Sequence, residues 1–415
     1  MRFVCDFHLH SRYSRGTSSD MGLEHMARWA KLKGISLLGT GDFTHPAWFL
    51  ELKEKLKPSD LNGLYEFQGV YFMLTAEVAN FFQVDGKAHK MHNLIFSPSL
   101  EVSLRINQRL RRFNSLSVDG RPALSISALD LLKIVKDISS DAYIVPAHAW
   151  TPWFSLFGSR SGFDSIEECF GEASSEIFAI ETGLSSDPPM NWRLSALDRV
   201  TLISNSDAHS PSKLGREANV FSEKMDFYEI RRVLQNKDRS KFLFTIEFFP
   251  EEGKYHFDGH RFCNVLMSPE EARKHNLICP VCGKPLTVGV MHRVEDLADR
   301  KDGFEPENAI PYKRLIPLDE IIAQVLKKAP ESVAVQNEYL KLVQTFSNEL
   351  AVLLDAPVSY LEKMTSLSLA RAIASMREGK VKIIPGYDGN YGKIEILLDA
   401  EEEKTPPEPT QISLF

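Results

Sequence analysis

The chain has 415 residues, enough for two or three domains and too many for one core. Its 43% hydrophobic and 25% charged content is that of a globular protein, and a formal net charge of -7 excludes a protein that coats nucleic acid non-specifically, leaving room only for local basic surfaces. No apolar run reaches the ~18 residues of a membrane span, and the opening MRFVCDFHLHS lacks the layout of a signal peptide, so a cytoplasmic protein with no membrane partner is expected.

The first half alternates strand and helix patterns. Arg2–Phe7 reads as a short strand, and Gly22–Lys33 as a helix with Leu23, Met26, Ala27 and Ala30 on one face. Ile35–Thr40, Val70–Ala76 and Asn93–Phe96 read as strands, Ser127–Ile138 as a helix, and Ala142–Pro146, Ile177–Glu181 and Thr201–Asn205 as further strands. A helix over Asp226–Gln235 closes the series. Each strand ends in polar or charged residues, the place where a βα barrel gathers its chemistry. An α/β fold, a βα barrel or a distorted version of one, is expected over residues 1–238. Residues 239–305 hold a β-rich run, Lys241–Pro250, and a Cys/His cluster. Residues 306–398 read as a C-terminal helical domain, with helices Leu318–Leu326, Ser332–Leu354 and Ser368–Arg377, a turn at Pro385–Asn390 and a strand at Gly392–Leu397. Residues 399–415 are acidic and Pro-rich, the composition of a disordered tail.

His8 and His10 stand two apart at a strand end, so both imidazoles point to one side. Asp42 and His45 follow the next strand, Glu77 ends another, and His92, His148 and the pair Asp207 and His209 complete the set. A lone histidine at a strand end is more often a hydrogen-bonded structural residue. Two pairs spaced by two, with five further single candidates, point instead to a metal centre. Mixed imidazole and carboxylate donors suit Zn²⁺, Mn²⁺ or Fe. A carboxylate such as Glu77 could bridge two ions about 3.5–4 Å apart, the arrangement that clamps both oxygens in phosphoryl hydrolysis.

The five cysteines point to a metal site in a reducing compartment rather than to disulfides. Cys279-Pro280-Val281-Cys282-Gly283 has the spacing of a zinc knuckle, with Cys263 upstream and His292 downstream as the simplest remaining ligands of a structural zinc. His256 and His260 are alternative fourth ligands. A redox dithiol is the competing reading, but no βαβ pattern surrounds the pair.

The motifs Asp6-Phe7-His8-Leu9-His10-Ser11, Gly41-Asp42, Glu77, His148 and Ser206-Asp207-Ala208-His209 resemble those of the PHP (polymerase and histidinol phosphatase) superfamily, over roughly residues 1–235. The resemblance implies a distorted seven-stranded βα barrel with two or three divalent metals (Zn, Mn, Mg or Fe). It implies that His8, His10, Glu77 and Asp207 hold one metal, that Glu77, His92 and His148 hold a second, and that His209 contributes to a third. Phe43 stands where the family has histidine, with His45 as the stand-in. Within that superfamily, Thr40–Pro46, Pro146–Ser165, Glu181–Arg193, Cys279–Arg300 and Lys382–Ile394 are similar to segments of the endonuclease Q family, across nearly the whole chain. That likeness implies an endodeoxyribonuclease that nicks DNA 5′ to deaminated bases (hypoxanthine, uracil or xanthine, and abasic sites) by multi-metal hydrolysis, in a nucleoid-associated setting. Asp207 and Glu77 would fix the metals, and His209 or His45 would assist proton transfer.

Trp150, Trp153 and Phe154 follow His148 directly, and aromatics there are candidates for stacking on an extruded base; the alternative is that they are core. Arg105, Arg109, Arg111 and Arg112 form a basic stretch able to hold phosphates. At the end of the tail, Gln411-Ile412-Ser413-Leu414-Phe415 is similar to the bacterial sliding-clamp motif, with Gln411, Leu414 and Phe415 as the anchoring residues. A small-molecule phosphatase, an exonuclease and a non-catalytic DNA binder are the competing functions.

Overall fold

A computed structural model describes residues 2–397; the acidic tail and its Gln411, Leu414 and Phe415 lie outside the described residues. Strands β1 (Phe3–Asp6), β2 (Leu37–Gly39) and β3 (Val70–Val84) run parallel, with Cys5 opposite Leu37 and Leu38 opposite Phe72. β4 (Lys87–Ser97) returns antiparallel beside β3 after an Asp85-Gly86 turn and pairs with it from Val84↔Lys87 to Leu74↔Ser97. β5 (Tyr143–Pro146) pairs antiparallel with β4. β6 (Ala179–Glu181) and β7 (Thr201–Ile203) form a separate parallel ladder. On the far side of β1 the sheet continues through β8 (Ala218–Phe221), β9 (Phe242–Glu247) and β10 (Tyr312–Arg314). The result is a mixed α/β fold around a central mixed sheet.

Helices cover this sheet because their apolar stripes need a partner. α1 (Leu23–Lys33) buries Leu23, Met26, Ala27 and Ala30, the face read from the sequence. α2 (Pro46–Lys55) and α3 (Leu100–Leu110) were not anticipated, while α4 (Ala128–Ile138) and α5 (Phe227–Asn236) start one residue inside the expected spans, where Ser127 and Asp226 accept hydrogen bonds from the first turn.

The β3–β4 hairpin is longer than its sequence pattern implied, so Glu77 lies within a strand instead of ending one. In the C-terminal region α6 (Leu318–Leu326), α7 (Val333–Phe346), α8 (Val358–Met364) and α9 (Leu367–Arg377) replace the three expected helices. The long helix expected over Ser332–Leu354 stops at Phe346, where Ser347 turns to φ 80°. These helices share one core with the sheet: Ile321, Val335, Leu342 and Ile373 pack with Val4, Val220 and Ile246. Among the described residues, no helix is long and apolar enough to cross a membrane.

Glu247 on β9 is fully buried, with one carboxylate oxygen 3.2 Å from the Thr182 hydroxyl. Burial, helped by Asp187, pushes its pKa from 4.5 to about 8. A carboxyl whose pKa is raised by folding contributes fully below its unfolded pKa, and that contribution is lost as pH rises through the folded value. Glu247→Gln, which stays neutral, is therefore expected to match the parent Tm at pH 5 and to exceed it by several degrees at pH 9. Identical melting curves at both pH values would refute the assignment.

Candidate metal centre

The site forms where the ends of β1, β5, β6 and β7 meet the middle of β3. His8 Nε2, His10 Nε2 and Asp207 Oδ1 are buried and make no well-directed hydrogen bond, although His10 Nε2 and Asp207 Oδ1 lie 3.2 Å apart. These residues form one cluster in which every donor atom lies within 4.8 Å of the others. Three converging orphans would be costly in a finished core, where buried polar atoms are normally satisfied. Glu77, His92 and His148 form a second cluster under the same criterion. Glu77 joins the two: its Oε2 is 3.1 Å from His10 Nε2 and 3.6 Å from His8 Nε2, and its Oε1 is 2.7 Å from His92 Nδ1 and 3.0 Å from His148 Nε2. The mid-strand placement of Glu77 allows this, since both oxygens reach into the site from a fixed backbone.

The first cluster is oriented by acceptors behind it. His8 Nδ1 lies 2.9 Å from Glu181, and His10 Nδ1 lies 3.1 Å from Asp42. A carboxylate only accepts, so each ring carries a proton on Nδ1 and turns Nε2 inward, the edge on which a bound metal would displace the second proton. Glu181 also accepts from the His148 backbone N–H at 2.8 Å and from Asn205 at 2.9 Å. Arg121 donates to Glu77 Oε2 at 3.0 Å.

The backbone is bent to aim these groups. Asp42, His148 and Asp207 all have positive φ, at 48°, 31° and 46°, an uncommon state for non-glycine residues that clusters at functional sites. Gly183 makes room for the His148 bend, because a Cβ there would sit 2.4 Å from His148 Cβ.

Burial opposes protonation of His8 and His10, yet the carboxylates around them outweigh it and hold both pKa values well above the ordinary range. Burial likewise favours the neutral form of Glu77 and Asp207, and the surrounding histidines and Arg121 overcome it, so both stay ionised. Burial lowers His92 to about 4. The site thus packs anionic ligands against imidazoles that act as substitute cations, a charge balance that divalent ions would satisfy better. The donor set fits such ions.

Three expected ligands fall outside both clusters. Asp42 is engaged by the Ser11 N–H at 2.6 Å, the Ser11 hydroxyl at 2.7 Å, the Ser14 hydroxyl at 2.9 Å and His10, so it orients a ligand instead of being one. His45 precedes α2, stacks on Tyr13 at 4.5 Å and points Nε2 toward the Ser117 carbonyl at 3.3 Å. It does not replace the histidine missing at Phe43, whose side chain is core. His209 lies tilted beside His10, ring centroids 4.5 Å apart, with Nδ1 2.9 Å from the Asp207 carbonyl. Ligands for a third ion are therefore not assembled among the described residues.

The second constellation joins Cys263, Cys279 and Cys282 with His260, not His292. His292 is turned away because its Nδ1 lies 2.5 Å from Asp258, a carboxylate buried beneath the module.

Beside His92 and His148 opens a cavity of about 740 Å³, also lined by Trp153, Phe154, Arg216, Lys254, Tyr255 and His256. Trp150 is not part of it: the ring is buried against Phe157 and its N–H donates to Asn191 at 2.8 Å. Of the residues the sequence reading did not assign to the site, Glu181 was legible as a strand end. Arg121 carried no signal, since it sits in an irregular segment distant in sequence from Glu77.

Residues 317–380 match the family model of the MJ0043 C-terminal domain. A protein of Methanocaldococcus jannaschii, MJ0043, is 35% identical over 255 residues, which are 60% of this chain; the chain spans 31% of that protein's length. The lesion-specific endonuclease PfuEndoQ of Pyrococcus furiosus superposes with a TM-score of 0.86 at 35% identity, covering 95% of this chain and 96% of that one. Endonuclease Q in complex with a 27-mer duplex substrate carrying an abasic lesion at its active site superposes with a TM-score of 0.85, also at 35% identity, over 98% of this chain and all of the other.

Proposed function

Because this chain belongs to the endonuclease Q family, and is a metal-dependent DNA endonuclease, we propose that it nicks DNA 5′ to deaminated bases (hypoxanthine, uracil and xanthine) and abasic sites. The observation that carries this reading is the position of Glu77. One of its oxygens serves the His8, His10 and Asp207 cluster and the other serves His92 and His148, at the edge of a cavity large enough for a nucleotide base.

His8, His10 and Asp207 would hold one divalent ion, His92 and His148 the other, with Glu77 between them. When bound, such ions act as Lewis acids and lower the pKa of water to supply a nucleophile at neutral pH. The chain's own residues do the rest. Glu181 and Asp42 hold the His8 and His10 rings in register. His209, with Nδ1 fixed by the Asp207 carbonyl and its ring beside His10, keeps Nε2 to accept or donate a proton at the edge of the first cluster. Trp153 and Phe154 offer apolar faces to an extruded base. Arg105, Arg109 and Arg112, which line a shallow cavity of about 320 Å³, are suited to hold phosphates beyond it.

The supporting units are part of the same proposal. Residues 1–238 are read as the distorted seven-stranded barrel unit, with β6 and β7 as a ladder of their own beside the sheet that holds β1–β5 and β8; residues 239–305 form the zinc-binding module on His260, Cys263, Cys279 and Cys282; residues 306–398 form the helical domain. Residues 399–415 tether a sliding clamp through Gln411, Leu414 and Phe415, which raises the local concentration at replicated DNA. Deleting 411–415 should then remove the clamp from a pull-down and leave the nicking of free DNA unchanged; retention of the clamp would refute the tether.

The central test uses an end-labelled duplex with one deoxyinosine, incubated with Mg²⁺, Mn²⁺ or Zn²⁺. A single cut 5′ to the lesion supports the reading. A ladder from one end would indicate an exonuclease, and an intact duplex would overturn the reading.

A further inference from the structure

The segment Pro385–Gly392 is a rigid loop that ends in an exposed aromatic. Its backbone is tied to the cavity wall: the Gly386 N–H donates to Glu251 O at 2.8 Å, that of Gly389 to Lys254 O at 2.8 Å, and that of Gly392 to Glu252 O at 3.0 Å. Asp388 accepts from the Arg261 N–H at 2.7 Å and from the Thr287 hydroxyl at 2.6 Å, which pins the loop to the zinc-binding module as well. The approach is so close that a Cβ on Gly392 would lie 2.1 Å from Glu251 O. Such a loop moves little.

Tyr391 stands on this platform. Its side chain lines the 740 Å³ cavity, yet the residue is 77% exposed, the most exposed large aromatic on that rim, and the Lys254 ammonium lies 5.8 Å from its ring. Single exposed apolar residues are ordinary. A tyrosine held out from a braced loop, at the mouth of the cavity that also contains the His92 and His148 rings, with a cation beside it for a phosphate, is a different case. Opening a duplex costs stacking, and a protein lowers that cost by placing a side chain in the vacated space. Trp153 does not have this geometry, because its ring is held edge-on against Tyr255 at 5.5 Å and it is less exposed.

We propose that Tyr391 is the duplex-opening residue: its ring enters the base stack where the target nucleotide has left and holds the duplex open while the base occupies the cavity. This rests on the endonuclease reading above. The ring supplies stacking and no chemistry, so its effect is confined to substrates that must be opened.

The test compares nicking of one deoxyinosine in a fully paired duplex with the same lesion inside a bubble of unpaired bases. In Tyr391→Ala the ratio of duplex to bubble nicking rates should fall about tenfold or more, the size expected for losing one stacked aromatic, and Tyr391→Phe should restore it. Phe262→Ala serves as a control, since Phe262 is 82% exposed but does not line the cavity. An unchanged ratio in Tyr391→Ala, an equal loss on both substrates, or a fall in Phe262→Ala alone would overturn the proposal. If the parent enzyme cuts neither substrate, the endonuclease reading itself fails, and the two failures are told apart.

Discussion

Asp207→Asn should abolish nicking while leaving DNA binding in place. The side chain supplies one of the three orphaned donor atoms of the first cluster, and its backbone is bent to φ 46° to present it. The amide keeps the shape and removes the charge. Its nitrogen would then face the His8 and His10 rings with a donor in place of an acceptor, or its oxygen would face them with far less affinity for a cation. Losing several kcal/mol of charge stabilisation corresponds to a rate loss on the order of 10³-fold or more. Binding should persist, because phosphate and base contacts are made by other residues. The measurements are initial nicking rates on the deoxyinosine duplex, a mobility shift with the same duplex, and metal content. Full activity in the variant would refute the assignment of Asp207. The companion change Glu77→Gln should be as severe and less clean, since it also strips Arg121 of its partner and disturbs both clusters at once.

The second large effect belongs to the cysteine module. The apolar core around it consists of Ala272, Cys279 and Leu286, too little to fold a unit of this size by burial alone. The knuckle itself is tight, with the Cys279 N–H donating to Lys284 O at 2.8 Å and the Gly283 N–H to Cys279 O at 2.9 Å. A metal joining three thiolates and an imidazole would supply what the core lacks. Cys279→Ser is therefore expected to lose one equivalent of bound zinc per chain and to open the region around residues 260–290 to proteolysis. His260→Ala should behave like it, whereas His292→Ala should keep its zinc. The damage should also reach nicking, because Arg273 in the module pairs with Glu295 and Asp296 on the helix that carries Val290 into the cavity. Unchanged zinc content in both Cys279→Ser and His260→Ala would overturn the structural-zinc assignment.

Much of the site was legible because its signal is local. His8 and His10 share a side of a strand end by the two-residue period alone, and Asp207 and His209 repeat that spacing. Mixed imidazole and carboxylate donors gave the class of chemistry, and the Cys279–Cys282 spacing gave the knuckle. Segment-by-segment likeness supplied the family. What the sequence could not rank was the set of singletons. Asp42 and His45 have the right chemistry at the right strand end. Even so, Ser11 and Ser14 claim the first as an acceptor, and the start of α2 turns the second onto Tyr13. Trp150 and Trp153 are three residues apart, yet one is core and the other lines the cavity.

The amino-acid pattern thus determined which residues can share a face, which can bind a cation, and roughly where strands end. These follow from backbone period and side-chain chemistry, which act over a few residues. Tertiary structure alone decided that Glu77 sits inside a long hairpin strand and joins two clusters, that Glu181 stands behind His8 from 173 residues away, and that His260 displaces His292 at the cysteines. Those outcomes depend on which distant segments pack together. Burial then fixes a buried polar atom's partner according to what the fold brings within hydrogen-bond reach, and no local periodicity encodes that choice.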